Sequence, residues 1–331
     1  MRKIKIAQIG TSANSHGNDI FNTLKRHSDV FEIVGYHLPE NEREKFPQKM
    51  ADFEGFREMS LDEILNDPEI EAVTVETEEI YLTKYATLAA EHKKHIHMEK
   101  PGGIGLADFE RLIATVKQNG TVFHAGYMYR YNPYVAELIR DARSGKLGDI
   151  ISIEAQMNCF HTENVRRWLS TFPGGMTFFL GCHLIDIIYT IQGKPDKIIP
   201  LNKASGVDGV TAKDFGMVAF EYKNGISFAK ASALEHGGFE RRQIVVNGSK
   251  TTVELKPLEW YDKSGRLATK RTSRDQTDWH KPNETQTSPA VNRYDEMMRS
   301  FASYVRGEKK NPYSYDYELE LYKLVLKACE G

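Results

Sequence analysis

The chain has 331 residues, enough for two hydrophobic cores, with 40% hydrophobic and 27% charged residues and a formal net charge of −2. A pI near 6.6, with Lys and Arg scattered among the acids, excludes the electrostatic footprint of a nucleic-acid or anionic-membrane binder. No stretch approaches the roughly 18 apolar residues of a membrane span, and the short apolar run after Met1 ends at Gly10 without the pattern of a signal peptide.

Ile4–Ile9 reads as a first strand, followed by a polar turn and a helix over Asp19–His27. Phe31–Tyr36 is a second strand, Leu61–Leu65 a short helix and Ala72–Thr77 a third strand. A helix over Tyr81–Glu91, a strand His95–Met98, a helix Phe109–Val116 and a strand Val122–Gly126 complete the alternation. Strands alternating with helices predict right-handed βαβ units on a parallel sheet, a Rossmann dinucleotide-binding domain over residues 1–124.

The pattern changes over residues 125–331. A helix (Tyr134–Ser144) leads to runs that read as strands at Ile150–Gln156, Phe215–Tyr222, Ile226–Ala233, Arg242–Asn247 and Thr251–Leu255. The Asn224-Gly225 and Asn247-Gly248 turns between them are hairpin signatures, so this α+β domain is expected to rest on a large, open, mainly antiparallel sheet. Helices over Leu184–Ile191 and Tyr317–Cys329 accompany it, and the polar stretch Lys263–Pro289 reads as a surface loop. Cys159, Cys182 and Cys329 are odd in number and lack paired spacing, which suits a reduced cytoplasmic protein and points to neither disulfides nor a zinc site.

Two segments carry chemistry. Glu99-Lys100-Pro101-Gly102-Gly103 follows a strand directly, at the sheet edge where open α/β sheets bind ligands. A lysine held there can donate to a substrate oxygen that gains alkoxide character; the alternative is a solvated loop lysine. In Gly181-Cys182-His183-Leu184-Ile185-Asp186 the histidine and aspartate are three apart at a helix start. His183 is suited to act as a general base, or else it is a cap or a packed core histidine. No second ligand spacing supports a metal.

The turn Gly10-Thr11-Ser12-Ala13-Asn14-Ser15 stands where a dinucleotide fingerprint belongs, with serine at the second and third glycine positions. Backbone amides at a helix start can still hold phosphate. The acid expected near the end of the second strand is missing; His37 and Glu40 are the nearby candidates for the adenosine ribose, and NAD against NADP stays open.

Together these segments resemble the Gfo/Idh/MocA family, that of glucose-fructose oxidoreductase and inositol dehydrogenase. The resemblance runs from Gly10 through Thr77, Glu99-Lys100-Pro101, Gly126–Pro133, Gly145–Gly148, Gly174-Gly175 and Gly181–Asp186 to Tyr313–Glu318. It implies an NAD- or NADP-dependent oxidoreductase that moves hydride between nicotinamide and a secondary alcohol of a sugar, cyclitol or sugar derivative. Lys100 would bond the substrate hydroxyl and His183 would take its proton. Gly10, Ser12, Ala13, Asn14, His37, Thr77, Glu78, Glu99 and Lys100 would meet the cofactor. Tyr129, Arg130, His161, Arg167, Trp168, Phe179 and His183, with His236 nearby, would meet the substrate. The resemblance also implies a homodimer or homotetramer formed through the second sheet.

The chain departs from the family's pattern in two places. Phe179 stands where the family often has an aspartate, and Thr77-Glu78-Glu79 replaces a Thr-Pro segment, placing acids near the expected nicotinamide ribose. The altered turn, the missing ribose acid and Phe179 favour an alternative, a non-catalytic ligand-binding or regulatory protein on the same scaffold, against which Lys100 and His183 argue; the resemblance also leaves open a family variant that uses bound NAD for elimination or hydrolysis.

Overall fold

The computed structural model describes residues 2–275, 277–278 and 280–331. The chain divides into two compact units, Met1–Met128 with Tyr294–Tyr322, and Tyr129–Arg293 with Lys323–Gly331. The change of pattern in the sequence predicts one domain over residues 125–331. The difference lies in Tyr294–Tyr322, whose side chains pack on the N-terminal unit. The Phe301 ring stacks on His124 at 5.3 Å, Arg299 meets His27 Nδ1 at 3.1 Å, and the Tyr322 hydroxyl donates to the Gly103 carbonyl at 2.9 Å.

In the first unit, β1 (Ile4–Ile9), α1 (Gly17–Arg26), β2 (Phe31–His37), α2 (Glu42–Lys45), α3 (Leu61–Asn66), β3 (Ala72–Val75), α4 (Leu82–Glu91), β4 (His95–Met98), α5 (Leu106–Asn119) and β5 (Phe123–Ala125) follow in order. The five strands pair in parallel in the order β2-β1-β3-β4-β5. The chain leaves β1 toward β2 on one side and returns to β3 on the other, so the carboxyl ends of β1 and β3 flank a topological switch point. Strands in such a sheet are covered on both faces, and β3 is buried along its whole length. A polar line nevertheless crosses it, because register neighbours share a face. Thr74 donates to Gln8 Oε1 at 3.2 Å, and His97 and His124 face each other through Nδ1 at 2.8 Å.

The second unit contains α6 (Pro133–Arg143), β6 (Ile150–Asn158), α7 (Glu163–Trp168), a π-helical turn over Thr177–Gly181, and α8 (Cys182–Gln192). Strands β7 (Lys197–Lys203), β8 (Phe215–Tyr222), β9 (Gly225–Ser232), β10 (Gln243–Gly248) and β11 (Thr252–Leu255) follow, then the two-residue strands β12 (Trp260–Tyr261) and β13 (Leu267–Ala268), then β14 (Lys270–Arg274) and β15 (Glu284–Thr287). Eight strands form one sheet, β15-β14-β11-β10-β6-β9-β8-β7, antiparallel apart from the β6–β9 pair. One face buries Ile153, Val218, Phe220, Ile244, Val246 and Val253, the alternation expected of a one-sided sheet. Helices α9 (Asp295–Val305) and α10 (Tyr315–Cys329) close the chain.

The loop expected over 263–289 is a correction. Lys270–Arg274 pairs with β11 and Glu284–Thr287 pairs with β14, extending the sheet edge. Their strand-forming signal is hidden because β15 is exposed at every position, so no apolar alternation marks it. Gln276 and Trp279 of that stretch lie outside the described residues. Among the described residues no helix is long and apolar enough to cross a membrane.

Candidate functional site

In the first unit the expected cofactor residues gather at the carboxyl ends of β1, β3 and β4. Gly10 has φ +87°, and a Cβ there would meet the Thr77 backbone nitrogen at 2.6 Å, so only glycine lets the two strand ends lie this close. The serines of the turn bond each other: the Ser12 amide donates to Ser15 Oγ at 3.1 Å and the Ser15 amide to Ser12 Oγ at 3.0 Å. Ser15 Oγ also donates to the Glu76 carbonyl at 3.2 Å. The hydroxyls thus pin the chain into the tight turn that glycines would otherwise allow. Ala13 and Asn14 stand at its exposed to half-buried apex, and α1 begins at Gly17 with its positive end toward the turn. This small-residue turn with helix amides behind it fits a dinucleotide phosphate.

The sequence reading missed Glu42. It follows β2 within the polar run Asn41-Glu42-Arg43-Glu44-Lys45, yet its side chain is fully buried. The carboxyl accepts from the Thr11 amide at 2.9 Å and the Thr77 hydroxyl at 2.5 Å. Burial raises its pKa to about 8 despite those two donors. It therefore places an acid beside the phosphate turn that the end of β2 lacks. His37 bonds the Met59 carbonyl through Nδ1 at 2.9 Å, Glu40 accepts from Lys84 and Tyr85, and Glu78 pairs with Lys45 at 3.0 Å.

Lys100 is 4% exposed, with Nζ 3.4 Å from Glu99 Oε1. Glu76, directly after β3, and Glu79, at the start of the following turn, are buried beside this pair. Burial comes first among the causes that raise both acids, Glu76 well above the carboxylate range and Glu79 to about 7, and Glu99 raises both further while Lys100 opposes. The lysine is therefore embedded in carboxyl groups.

In the second unit His183 is buried at the first turn of α8, with the Tyr129 ring edge-on at 5.0 Å. Arg130 grips the Asp186 carboxylate with two bonds, Nε at 2.9 Å and Nη2 at 2.8 Å, all within the interior. Arg130 thus acts as an internal anchor where a substrate contact was expected, and its position before α6 ties that helix to α8. The Tyr129 hydroxyl donates to Glu259 Oε2 at 2.6 Å and accepts from Arg242 at 3.1 Å. His161, Trp168 and Phe179 do come together: Phe179 lies 5.0 Å from the Trp168 ring and 6.3 Å from His161, and stacks with Phe172. Arg167 is separate, half-exposed and bonded to Glu163 and the Asp208 carbonyl, and His236 stacks on the exposed Phe160 at 4.3 Å. Among the described residues no group of three His, Cys, Asp or Glu is placed to hold a metal ion.

Comparison with known proteins bears on the fold and the family. Residues 4–127 match the oxidoreductase family with an NAD-binding Rossmann fold, Gfo/Idh/MocA, and residues 135–254 match the family's C-terminal domain. The chain is 32% identical to the uncharacterized oxidoreductase YhhX of Escherichia coli over 42% of its own length and 40% of the relative's. It is 25% identical to scyllo-inositol 2-dehydrogenase (NADP(+)) IolW of Bacillus subtilis over 54% and 48% of the two chains. It therefore spans about half or less of the length of these relatives. KijD10, a 3-ketoreductase from Actinomadura kijaniata solved with NADP and TDP-benzene, shares the fold with a TM-score of 0.78 at 15% identity, covering 98% of this chain and 96% of that one. The parallel five-stranded unit and the large mixed sheet, together with both family matches, show that the chain belongs to the Gfo/Idh/MocA family.

Proposed function

We propose that the protein is an NAD(P)-dependent oxidoreductase acting on a secondary alcohol of a sugar, cyclitol or sugar derivative. The observation that carries this reading is the buried Lys100–Glu99 pair at the carboxyl end of β4, on the sheet edge that bears the dinucleotide turn. Bound NAD or NADP supplies the hydride acceptor. The turn from Gly10 to Ser15 and the first amides of α1 would hold its phosphates, and Thr77 and Glu99 would lie between phosphate and lysine. Lys100 donates to the substrate oxygen and stabilises negative charge there as the carbonyl forms. His183 takes the hydroxyl proton. The aromatic cluster of His161, Trp168 and Phe179 offers a face on which a sugar ring stacks. The inositol dehydrogenase and the ketoreductase among the similar proteins support this substrate class.

A second reading, a non-catalytic ligand-binding or regulatory protein, is favoured by one observation. The Thr11, Ser12 and Ser15 amides are already engaged by Glu42 and by the serine hydroxyls. Titration with NAD and NADP separates the two readings, followed by a screen of polyols and sugars for the absorbance of reduced nicotinamide. Binding with turnover supports the enzyme. Absence of binding by either nucleotide at millimolar concentration overturns it, and NAD bound without net redox turnover points to the family variant that uses bound NAD for elimination or hydrolysis.

We also infer a homodimer or homotetramer built on the outer face of the second sheet and a cytoplasmic setting. Ile199 and Leu201 on β7 and Ile226 on β9 expose apolar side chains there, with Leu201 50% and Ile226 61% accessible. Light scattering of the wild type and of Leu201→Asp tests the assembly. A monomeric wild type overturns it.

A further inference from the structure

The carboxyls around Lys100 exceed what one lysine compensates. Glu76 and Glu79 are 0% and 2% exposed, and both oxygens of each, with Oε1 of Glu99, have no hydrogen-bond partner among the described residues. Three acids facing one lysine carry an excess of two negative charges when all are ionised. Buried carboxyls so arranged either stay protonated or meet a positive charge. The neighbouring histidine does not supply it: His97 Nε2 lies 3.6 Å from Glu76 Oε1, but burial lowers its pKa to about 3, so the ring is neutral.

The cluster adjoins the dinucleotide turn. A Cβ on Gly17, the first residue of α1, would meet Glu76 Cβ at 3.1 Å, and Ser15 bonds the Glu76 carbonyl. A dinucleotide held at this turn across the carboxyl ends of the strands would have its far half toward β4 and Lys100. That half changes charge with redox state. The oxidised nicotinamide ring is a cation and the reduced ring is neutral.

We propose that Glu76 and Glu79 are the counter-charge for the oxidised nicotinamide ring, so that binding the oxidised cofactor releases protons that binding the reduced cofactor does not. This deepens the reading of the site as an NAD(P) oxidoreductase and rests on it. The groups facing the pair are Glu99, Lys100 and His97 on and after β4, Glu78 before Glu79, and Asp19 on α1. With Glu79 near pH 7 in its half-titration, an adjacent cation drives it to the carboxylate, whereas a neutral ring leaves it partly protonated. The site thereby favours the oxidised form of the bound cofactor over the reduced form.

Calorimetric titration of the full chain with oxidised and reduced NAD and NADP at pH 7, in two buffers of different ionisation heat, counts the protons. Both redox forms carry the same phosphates, so Glu42 contributes equally to each and cancels in the difference. The expected result is an excess release of about half a proton or more for the oxidised form. In Glu79→Gln this excess shrinks and the preference for oxidised over reduced cofactor falls roughly tenfold, with Glu76→Gln acting in the same sense. Equal proton counts for the two redox forms, or an affinity ratio unchanged in both folded variants, overturn the proposal while leaving the oxidoreductase reading in place. Failure of every nucleotide to bind overturns both.

Discussion

Lys100 and Glu42 are both buried charge-bearing side chains, and their different partners give them different consequences. Lys100 faces Glu99 at 3.4 Å and is the group assigned to the substrate oxygen. Lys100→Met preserves most of the side-chain volume and removes the donor, and kcat is expected to fall by about 100-fold or more. A full rate in a folded Lys100→Met variant would remove the lysine from the mechanism. Glu42 meets the Thr11 amide and the Thr77 hydroxyl, and ionises only as pH rises through about 8. Once ionised it sets a negative charge beside the phosphate turn, so nucleotide affinity is expected to weaken about tenfold between pH 6.5 and 9. Glu42→Gln should flatten that profile, and a wild-type Kd independent of pH counts against the electrostatic role. Lys100 was legible in the sequence because a Pro-Gly-Gly turn after a strand fixes its place. Glu42 was not, because it stands in a run of alternating charges that reads as solvated surface, and its burial arises only when α2 packs over the turn.

At the scale of elements, the turn after β1 shows how a departure from the glycine fingerprint is accommodated. Ser12 and Ser15 replace conformational freedom with reciprocal side-chain-to-amide bonds, while Gly10 keeps the one position where freedom is required. Gly10→Ala combines a left-handed backbone penalty with a clash against the Thr77 backbone, and is expected to cost about 2–4 kcal/mol. Gly145→Ala has the same sign of φ, +76°, but open space around the new methyl, and should cost only about 1 kcal/mol. Chemical denaturation of the two variants measures the difference, and equal losses would mean the approach to Thr77 is not limiting. Most of the strands were readable from apolar periodicity, β1 to the residue. Strands β14 and β15 were not: Thr272 and Thr285 bond across them through their hydroxyls, Arg271 reaches Asp141, and polar contacts with backbone pairing make the edge without an apolar alternation. The same limit applies to α8. Its sequence puts His183 and Asp186 on neighbouring positions and gives no sign that Arg130, 56 residues earlier in the chain, binds the aspartate.

For the whole molecule, the buried titratable groups set opposing pH slopes. Glu42 and Glu79 have folded-state pKa values of about 8 and about 7 against an ordinary 4.5, and Glu76 is raised as well, all chiefly by burial. Between pH 4.5 and 8 the folded chain therefore binds more protons than the unfolded chain. Stability from these groups is complete below about pH 4.5 and is lost as pH rises through 7 and 8. His97 works in the other direction. Its folded value of about 3 lies below the ordinary 6.5, so unfolding takes up a proton below neutrality, and stability falls as pH drops from 6.5 toward 3. For these four groups, three acids against one histidine place the maximum at about pH 4 to 4.5, with a loss on the order of several kcal/mol by pH 8.5. Denaturant midpoints measured from pH 3.5 to 9 without nucleotide should show that decline, and a Glu42→Gln, Glu79→Gln double variant should lose most of it while keeping the acidic limb set by His97. A midpoint that stays level or rises between pH 6 and 8.5 would mean that these carboxyls are ionised and compensated in the folded chain. In that case the free protein already supplies the positive charge that we assign to the oxidised cofactor.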